Sequence, residues 1–249
     1  MLSGGMEVAV TINCDMGEAY GLFSFGDDAG LLPYAHLANV ACGFHAGDPN
    51  VMRRTVRLAK QNGVKVGAHP GFPDLQGFGR RAMAMERDEV ENCVLYQVGA
   101  LKAFLDAEGV PLNHIKPHGA LFGAALRDRG IAEGIAAAVA RFDVPILCLA
   151  GTLHEEVYLA HGLATIPEYY LDLDYSDEGA LLITREHPPR DVEVAARRAV
   201  RVARDGIATS IGGHDLPVRA ESYCLHSDTP NAAEIARAVH LALKPWLAT

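Results

Sequence analysis

The sequence predicts an α/β protein whose parallel strands close into a barrel, with helices around the outside. Short apolar runs alternate with amphipathic helical patterns, which predicts about seven strand–helix units with right-handed crossovers. Neither GxGxxG nor GxxxxGK(S/T) follows a predicted strand, so the sequence lacks the phosphate loop of an open nucleotide-binding sheet. Polar residues stand at the ends of nearly all strands, which suits a ring of strands facing one shared pocket.

The composition predicts one globular domain over residues 1–249, because no linker or low-complexity tract interrupts the chain. Hydrophobic residues make up 49% and charged residues 21%, as in ordinary folded enzymes. The formal net charge of −9, with basic residues clustered only in doublets, argues against nucleic acid and against an anionic membrane surface. No apolar run reaches the roughly 18 residues of a membrane helix, and no signal-peptide pattern opens the chain. Five cysteines without CxxC spacing predict reduced thiols, and we expect a cytoplasmic protein.

The first part of the chain predicts three strands. The β-branched run Val8–Asn13 predicts the first strand, and the uncharged run Leu37–Cys42 predicts the second. A helix is expected from Pro49 to Asn62, because its apolar residues recur at helical spacing and a glycine closes it. The third strand is expected at Val64–Ala68.

The rest of the chain continues the alternation of strand and helix. In chain order, the predicted elements are a helix over Glu86–Ala107, a short strand ending in His114–Gly119, a helix over Ala124–Arg141, a strand over Val144–Ala150, a helix opening at Thr152, a strand over Thr165–Leu171, a helix over Arg190–Asp205, a strand over Ser222–Leu225, and a last helix capped by Thr229 and Pro230.

The segment Asn39–Pro49 predicts a strand, a tight turn and a helix in succession. Gly43 and Gly47 permit the turn and leave His45 at its tip. Asp48 followed by Pro49 is typical of a helix N-cap and first helical position. In a β/α barrel this tip lies at the C-terminal end of a strand, where active sites are built.

Five strand ends carry polar side chains that a barrel would bring to one rim. These are Asp15, Glu18, His45, Asp48, His69, Asp74, Lys116, His118 and Asp228. A carboxylate such as Asp15 suits a general base or a group that orients water. Lys116 supplies fixed positive charge, and His118 titrates near neutral pH. Two members also have simpler interpretations, because Asp48 caps a helix and Asp228 could orient a turn.

A divalent metal is possible at this rim. Asp15, His45 and His69 are ligand types that would hold such an ion, which would activate water for hydrolysis. Asp15, His45 and His69 lie far apart in the sequence and do not share an HxH, HxxxH or HExxH motif, and the same residues could act as acids and bases without metal. In either case, alanine at His45, His69 or Lys116 is expected to abolish turnover and shift the melting temperature little.

Six motifs, taken together and in order, closely resemble the lactam-utilisation (LamB/YcsF) family from about residue 8 to residue 240. They are Asn13–Glu18, Ala41–Asp48, Gly67–Pro70, Phe78–Arg80, His114–Gly119 and Cys224–His226. The resemblance implies an irregular seven-stranded β/α barrel like that of polysaccharide deacetylases. It also implies the A subunit of a bacterial ATP-dependent 5-oxoprolinase, whose B and C subunits phosphorylate the lactam 5-oxoproline. The A subunit would open the activated ring to glutamate.

The implied chemistry assigns provisional roles to the rim. The complex would use ATP, and no cofactor is expected to be bound by this chain itself. Water needs a base, for which Asp15, alone or together with His45, is the candidate, and the ring nitrogen needs a proton from His118 or His69. Lys116 and Arg80 are the candidate cations for phosphate and carboxylate. The candidate substrate contacts are Glu18, Asp48, Asp74, Arg80 and Asp228.

One position departs from the family pattern. The family usually shows Ala-Asp-Arg-x-Tyr after the strand that ends near Leu171, and here Leu173 replaces the arginine and is followed by Asp174. If the arginine faces the pocket, this chain has lost an anion clamp and could take a less anionic lactam than 5-oxoproline. If the arginine makes a structural ion pair, the exchange is harmless and Asp174 sits in solvent.

Two other functions agree with the same residues. One is a stand-alone metal-dependent amidohydrolase or deacetylase, which bound metal and ATP-independent turnover would favour. The other is a non-catalytic small-molecule-binding regulatory partner, which saturable binding without turnover would favour.

Overall fold

The computed structural model describes residues 9–183 and 188–248. In chain order, its strands are β1 (Thr11–Met16), β2 (Leu37–Ala41), β3 (Lys65–His69), β4 (Leu112–Ile115), β5 (Ile146–Cys148), β6 (Thr165–Tyr170), β7 (Asp174–Tyr175), β8 (Leu181–Leu182), β9 (Ile207–Thr209), β10 (Asp215–Pro217) and β11 (Ser222–His226). Seven of them form a closed parallel barrel in the order β1-β11-β6-β5-β4-β3-β2. The barrel predicted from the sequence is therefore confirmed. Two antiparallel ribbons, β7–β8 and β9–β10, stand outside the ring.

Helices cover the outside of the ring. They are α1 (Asp28–Leu31), α2 (Pro49–Gln61), α3 (Arg87–Glu108), α4 (Gly119–Ala125), α5 (Arg129–Val139), α6 (Leu153–Ala160), α7 (Val192–Asp205) and α8 (Ala232–Leu243), with a 3-10 turn at Leu32–Tyr34. The barrel is irregular at β4, where the register against β3 shifts and a single residue pair, Ile115 with Ile146, joins it to β5. In the part of the chain that is described, no helix is long and apolar enough to cross a membrane.

Several element boundaries differ from the sequence-based prediction, among them those of β1, α5 and α8. β1 runs to Met16 and includes Asp15, because parallel pairing with β2 and β11 continues through that residue; Val8 lies outside the described residues. The single helix expected at 124–141 is two, because the Asp128 carboxylate accepts the backbone N–H groups of Gly130 and Ile131 and starts α5 afresh. The last helix begins at Ala232, and Thr229 does not cap it.

The interior of the barrel is polar near the strand centres. His114 Nε2 lies 2.7 Å from Asn39 Oδ1, and Asn39 Nδ2 donates to Asn13 Oδ1 at 2.8 Å. Asn13 Nδ2 donates in turn to Ser222 Oγ at 2.8 Å. Gly67 belongs to this layer because a Cβ there would overlap the His114 ring. Burial lowers the pKa of His114 to about 3, and Lys116 adds to the effect, so this ring is a neutral part of the scaffold.

Candidate active site

The C-terminal ends of the barrel strands surround a small pocket. One side of this pocket is ionisable and the other is largely apolar. Its lining residues are Asp15, His69, Arg80, Lys116, Pro117, His118, Gly119, Phe122, Tyr170, Leu173, Leu181, Ile183 and His226. The location agrees with the general rule that β/α barrels place their chemistry at this end.

Lys116 is the central cation of the pocket. The backbone N–H groups of Lys116 and His118 donate to the carbonyls of Ala68 and Pro70, which extends the β4 edge and presents both side chains to one side. Lys116 is 1% exposed, and its Nζ lies 2.9 Å from Asp15 Oδ1 and 3.4 Å from Glu168 Oε2. Burial alone would lower the pKa of Lys116, but the Asp15 carboxylate and other nearby groups raise it well above its usual value. The ammonium is therefore a permanent charge.

Asp15 is held as an anion. Asn39 Nδ2 donates to its Oδ1 at 2.7 Å, and His69 Nε2 lies 3.2 Å from its Oδ2. Burial opposes ionisation, but His69 and Lys116 bring the pKa of Asp15 well below its usual range. At neutral pH this carboxylate is thus suited to orienting water, and it is a weak proton acceptor.

Three imidazoles and Glu18 form a buried cluster beside Lys116. Left-handed glycines at 43 (φ +98°) and 47 (φ +82°) fold the turn inward, so His45 is fully buried and not a solvated tip. Its ring stacks on His118 with centroids 3.7 Å apart. Burial, together with neighbouring imidazoles, lowers the pKa of both rings well below the usual value. Both rings are therefore neutral at physiological pH.

His226 and Asp172 form a dyad to which the sequence-based reasoning gave no catalytic role. His226 Nδ1 lies 3.0 Å from Asp172 Oδ1, and its Nε2 lies 3.6 Å from Asp15 Oδ2 at the pocket. Asp172 also accepts hydrogen bonds from the His226 backbone N–H at 3.0 Å and from Thr229 Oγ1 at 2.8 Å. Burial alone would lower the pKa of His226, but Asp172 raises it above its usual value. A buried carboxylate that orients an imidazole toward a pocket is the arrangement of a general base.

The remaining predicted residues divide between the pocket and its frame. Arg80 lines the pocket, and its guanidinium pairs with the Asp228 carboxylate at 2.7 Å. Asp48 caps α2 and accepts the backbone N–H of Gly21 at 2.7 Å, which ties two rim loops together. Asp74 pairs with Arg81 and shapes its own loop. The structure therefore does not bring Asp48 or Asp74 to the pocket lining.

The family departure at Leu173 lies in the pocket wall. Leu173 is 2% exposed and shares the apolar side with Leu181 and Ile183. Asp174 does not simply sit in solvent, because its carboxylate pairs with Arg190 at 2.9 Å and with Arg198 at 3.1 Å. The side chain at position 173 therefore faces whatever the pocket binds.

Comparisons with known proteins agree with this geometry. The chain is 50% identical over 240 residues to the A subunit of 5-oxoprolinase from a strain of Thermus thermophilus, covering 94% of this chain and 96% of that protein. It is 43% identical to the A subunit of 5-oxoprolinase from Bacillus subtilis, with 94% and 93% covered. The crystal structure of a lactam utilization protein from Thermus thermophilus superposes with a TM-score of 0.89 at 48% identity, covering 95% and 96% of the two chains. The LamB/YcsF family profile matches residues 10–246, and the chain belongs to that family.

Proposed function

We propose that this chain is the A subunit of an ATP-dependent 5-oxoprolinase and opens phosphate-activated 5-oxo-L-proline to L-glutamate together with B and C subunits. The observation that carries the proposal is a pocket in which Lys116, Arg80 and the His226–Asp172 dyad face an apolar wall. The names of the relatives support the same activity.

The two sides of the pocket suit a small ring that bears anionic groups. Phe122, Leu181 and Ile183 offer apolar surface for the ring methylenes. Lys116 and Arg80 offer positive charge for the carboxylate and for the phosphate on the former lactam oxygen. A lactam amide is a poor electrophile, and phosphorylation at oxygen leaves a C=N carbon that water can attack.

The dyad can serve both proton transfers. Water held by Asp15 attacks the ring carbon and gives its proton to His226 Nε2, while Asp172 stabilises the imidazolium. His226 then returns the proton to the ring nitrogen, which leaves a tetrahedral carbon bearing a hydroxyl, the phosphate and the amine. The hydroxyl proton next passes to the same nitrogen as the C=O bond forms, and the C–N bond breaks with its electron pair going to nitrogen. The product is an amine and an acyl phosphate, which a second water converts to glutamate and phosphate. Lys116 stabilises the negative charge that develops on the oxygens.

An exposed apolar turn at the rim suits the contact with B and C subunits. Leu22 is 100% exposed and Phe23 is 81% exposed at the tip of a turn after β1. In the same loop, Phe25 packs on Phe78 with ring centroids 4.9 Å apart, and Phe78 contacts His118. Burying this turn against a partner would remove apolar surface from water next to the pocket, where an activated intermediate must be handed over.

The function is tested by measuring glutamate formed from 5-oxoproline and ATP with the cognate B and C subunits, with and without this chain. We expect glutamate only when all three are present. We also expect calorimetry of the isolated chain to show no micromolar ATP binding, since no predicted strand leads into a phosphate loop. Glutamate formed at the full rate without this chain, or tight ATP binding by the chain alone, would contradict the proposal.

A stand-alone amidohydrolase is the second candidate, and the cluster of Glu18 with three imidazoles favours it. Turnover of 5-oxoproline or other cyclic amides by the isolated chain without ATP would support this function. Under the first proposal, the same assay gives no product.

Leu173→Arg tests whether the apolar wall sets specificity. A guanidinium in this wall should favour a lactam that bears a carboxylate over one that does not. We expect the ratio of kcat/KM for 5-oxoproline to kcat/KM for 2-pyrrolidinone, measured in the complete complex, to rise at least about tenfold, or roughly 1.4 kcal/mol. Leu173→Met keeps the volume and should leave the ratio unchanged. An unchanged ratio in Leu173→Arg would mean that position 173 does not face the substrate carboxylate.

A further inference from the structure

Four buried donor atoms converge beside the pocket, and two of the four residues, His69 and His118, line it. Glu18, His45, His69 and His118 each offer one ligand atom, and these atoms all lie within 4.8 Å of one another. His118 Nδ1 is 3.0 Å from His69 Nε2 and 3.6 Å from Glu18 Oε1, and His45 Nε2 is 3.3 Å from the same Glu18 oxygen. The mechanism proposed above uses none of these atoms for proton transfer.

The hydrogen bonds of two rings fix where their lone pairs lie. His69 Nδ1 is 2.7 Å from the Lys116 carbonyl oxygen, and His118 Nε2 is 2.7 Å from the Phe78 carbonyl oxygen. A carbonyl only accepts, so both of these nitrogens carry hydrogen. In the neutral rings, His69 Nε2 and His118 Nδ1 are therefore both unprotonated, and they face each other at 3.0 Å. His69 Nε2 also lies 3.2 Å from the anionic Asp15 Oδ2. This group of facing acceptors needs a positive charge, which is either an extra proton on His69 Nε2 or a metal ion.

The spacing suits a metal ion. An ion bound at about 2.0–2.1 Å separates neighbouring donors by roughly 3.0 Å in octahedral and 3.4 Å in tetrahedral coordination. The distances of 3.0 and 3.6 Å from His118 Nδ1 to its two neighbours bracket these values. The carbonyl partners of His69 and His118 are the outer-shell hydrogen bonds that orient metal-binding imidazoles.

The orientation of the rings distinguishes the imidazole that can bind a metal from the one that only holds Glu18 in place. His45 and His118 are parallel within 3°, with centroids 3.7 Å apart, so one ion cannot lie in the plane of both rings. His118 is fixed by Phe78 and directs Nδ1 at His69, whereas His45 directs Nε2 at Glu18. His45 therefore supports the Glu18 carboxylate by a hydrogen bond and is not itself a ligand.

We propose that Glu18 Oε1, His69 Nε2 and His118 Nδ1 form a binding site for a divalent transition-metal ion of the zinc class. Two imidazoles and one carboxylate are a donor set that zinc uses with a fourth position left for water. Asp15 Oδ2 lies 3.2 Å from His69 Nε2 and lines the pocket, so it is placed to hydrogen-bond a water at that position. This donor set differs from the one expected from the sequence, because Glu18 and His118 take the places of Asp15 and His45.

The test uses the untagged full chain, freed of metal by chelator and dialysed, and needs no activity assay. Zn²⁺ binding is measured by calorimetry and by elemental analysis after removal of excess ion, and Co²⁺ is added as an optical probe. We expect about one ion per chain, with a visible Co²⁺ absorption typical of a low-coordinate nitrogen and oxygen site. Glu18→Gln and His118→Ala should each weaken Zn²⁺ binding at least about tenfold.

His226→Asn is the matched control, because it removes an imidazole from the same pocket but not from the donor set. It should keep wild-type Zn²⁺ affinity, and melting curves establish that each variant is folded. Zinc content well below one ion per chain in the loaded wild type would overturn the proposal and leave a proton shared by His69 and His118. Equal affinity in the wild type, Glu18→Gln and His118→Ala would also overturn it. Because both readouts are binding measurements, they stand apart from the success or failure of the proposed 5-oxoprolinase activity.

Discussion

Lys116→Met is expected to reduce turnover by roughly 10²–10³-fold, because it removes the fixed cation of the pocket. It is also expected to destabilise the protein. The ammonium pairs with Asp15 and Glu168 inside the barrel, and its loss leaves two buried carboxylates without that partner. Breaking a buried pair this way costs about 3–5 kcal/mol, which corresponds to about 6–20 °C in melting temperature for a domain of this size.

Lys102→Met is the matched control for this variant. Lys102 is an exposed lysine on α3, and its Nζ lies 2.8 Å from Asp106 one helical turn away. Such surface pairs contribute about 0.3–0.5 kcal/mol, so this variant should melt within about 2 °C of wild type and keep full activity. The expectation of a nearly unchanged melting temperature for alanine at Lys116 came from treating that residue as a pocket side chain alone. If Lys116→Met has the same melting temperature as Lys102→Met, the buried charge network does not stabilise the fold.

Asp172→Asn is expected to lower kcat/KM by about 10²–10⁴-fold, because the amide neither stabilises the imidazolium of His226 nor holds its tautomer. The pH profile should change as well. Asp172 raises the pKa of His226, so the wild-type rate falls as the pH drops through that raised value and the base becomes protonated. Without the carboxylate the pKa falls, and the acid limb of the residual activity should move to lower pH.

Asp174→Asn provides the comparison for the dyad. This carboxylate lies two residues away and pairs with Arg190 and Arg198, outside the pocket lining. Asp174→Asn should therefore leave the position of the acid limb where it is in wild type, even if the melting temperature drops. An acid limb that stays in place in Asp172→Asn would show that His226 is not the base whose ionisation the profile reports.

The barrel and most of its rim could be predicted from local patterns. Apolar runs and polar strand ends are properties of short stretches, and they lead directly to Asp15, His69 and Lys116. The dyad could not be found in this way, because His226 and Asp172 are 54 positions apart and meet only because β11 lies beside β6. The pairing of these two strands is a property of the whole fold.

The polar residues inside the barrel were also not predicted, because local patterns do not mark them. Asn39 sits within an apolar run, and Glu168 within a strand of aromatic and β-branched residues, so neither stands at a strand end. Alternation of side chains in β2 and β6 was the available signal, since every second residue faces the barrel interior. Asp48 and Asp74 are the opposite case, because the structure places neither in the pocket lining. Their loop positions drew attention, but backbone N–H groups and Arg81 already satisfy their carboxylates.

The pairing of β1 with β11 closes the barrel, and it determines when during folding the pocket can form. Thr11 hydrogen-bonds to Ser222 across 211 positions, so the last seam of the ring joins segments from opposite ends of the described chain. Contacts this distant in sequence make folding slow, and a nascent chain that stops short of β11 leaves the edges of β1 and β6 unpaired and prone to associate with other chains. The same seam brings His226 to Asp15. His226 and Asp15 therefore meet only in the step that also removes the last exposed strand edges of the barrel.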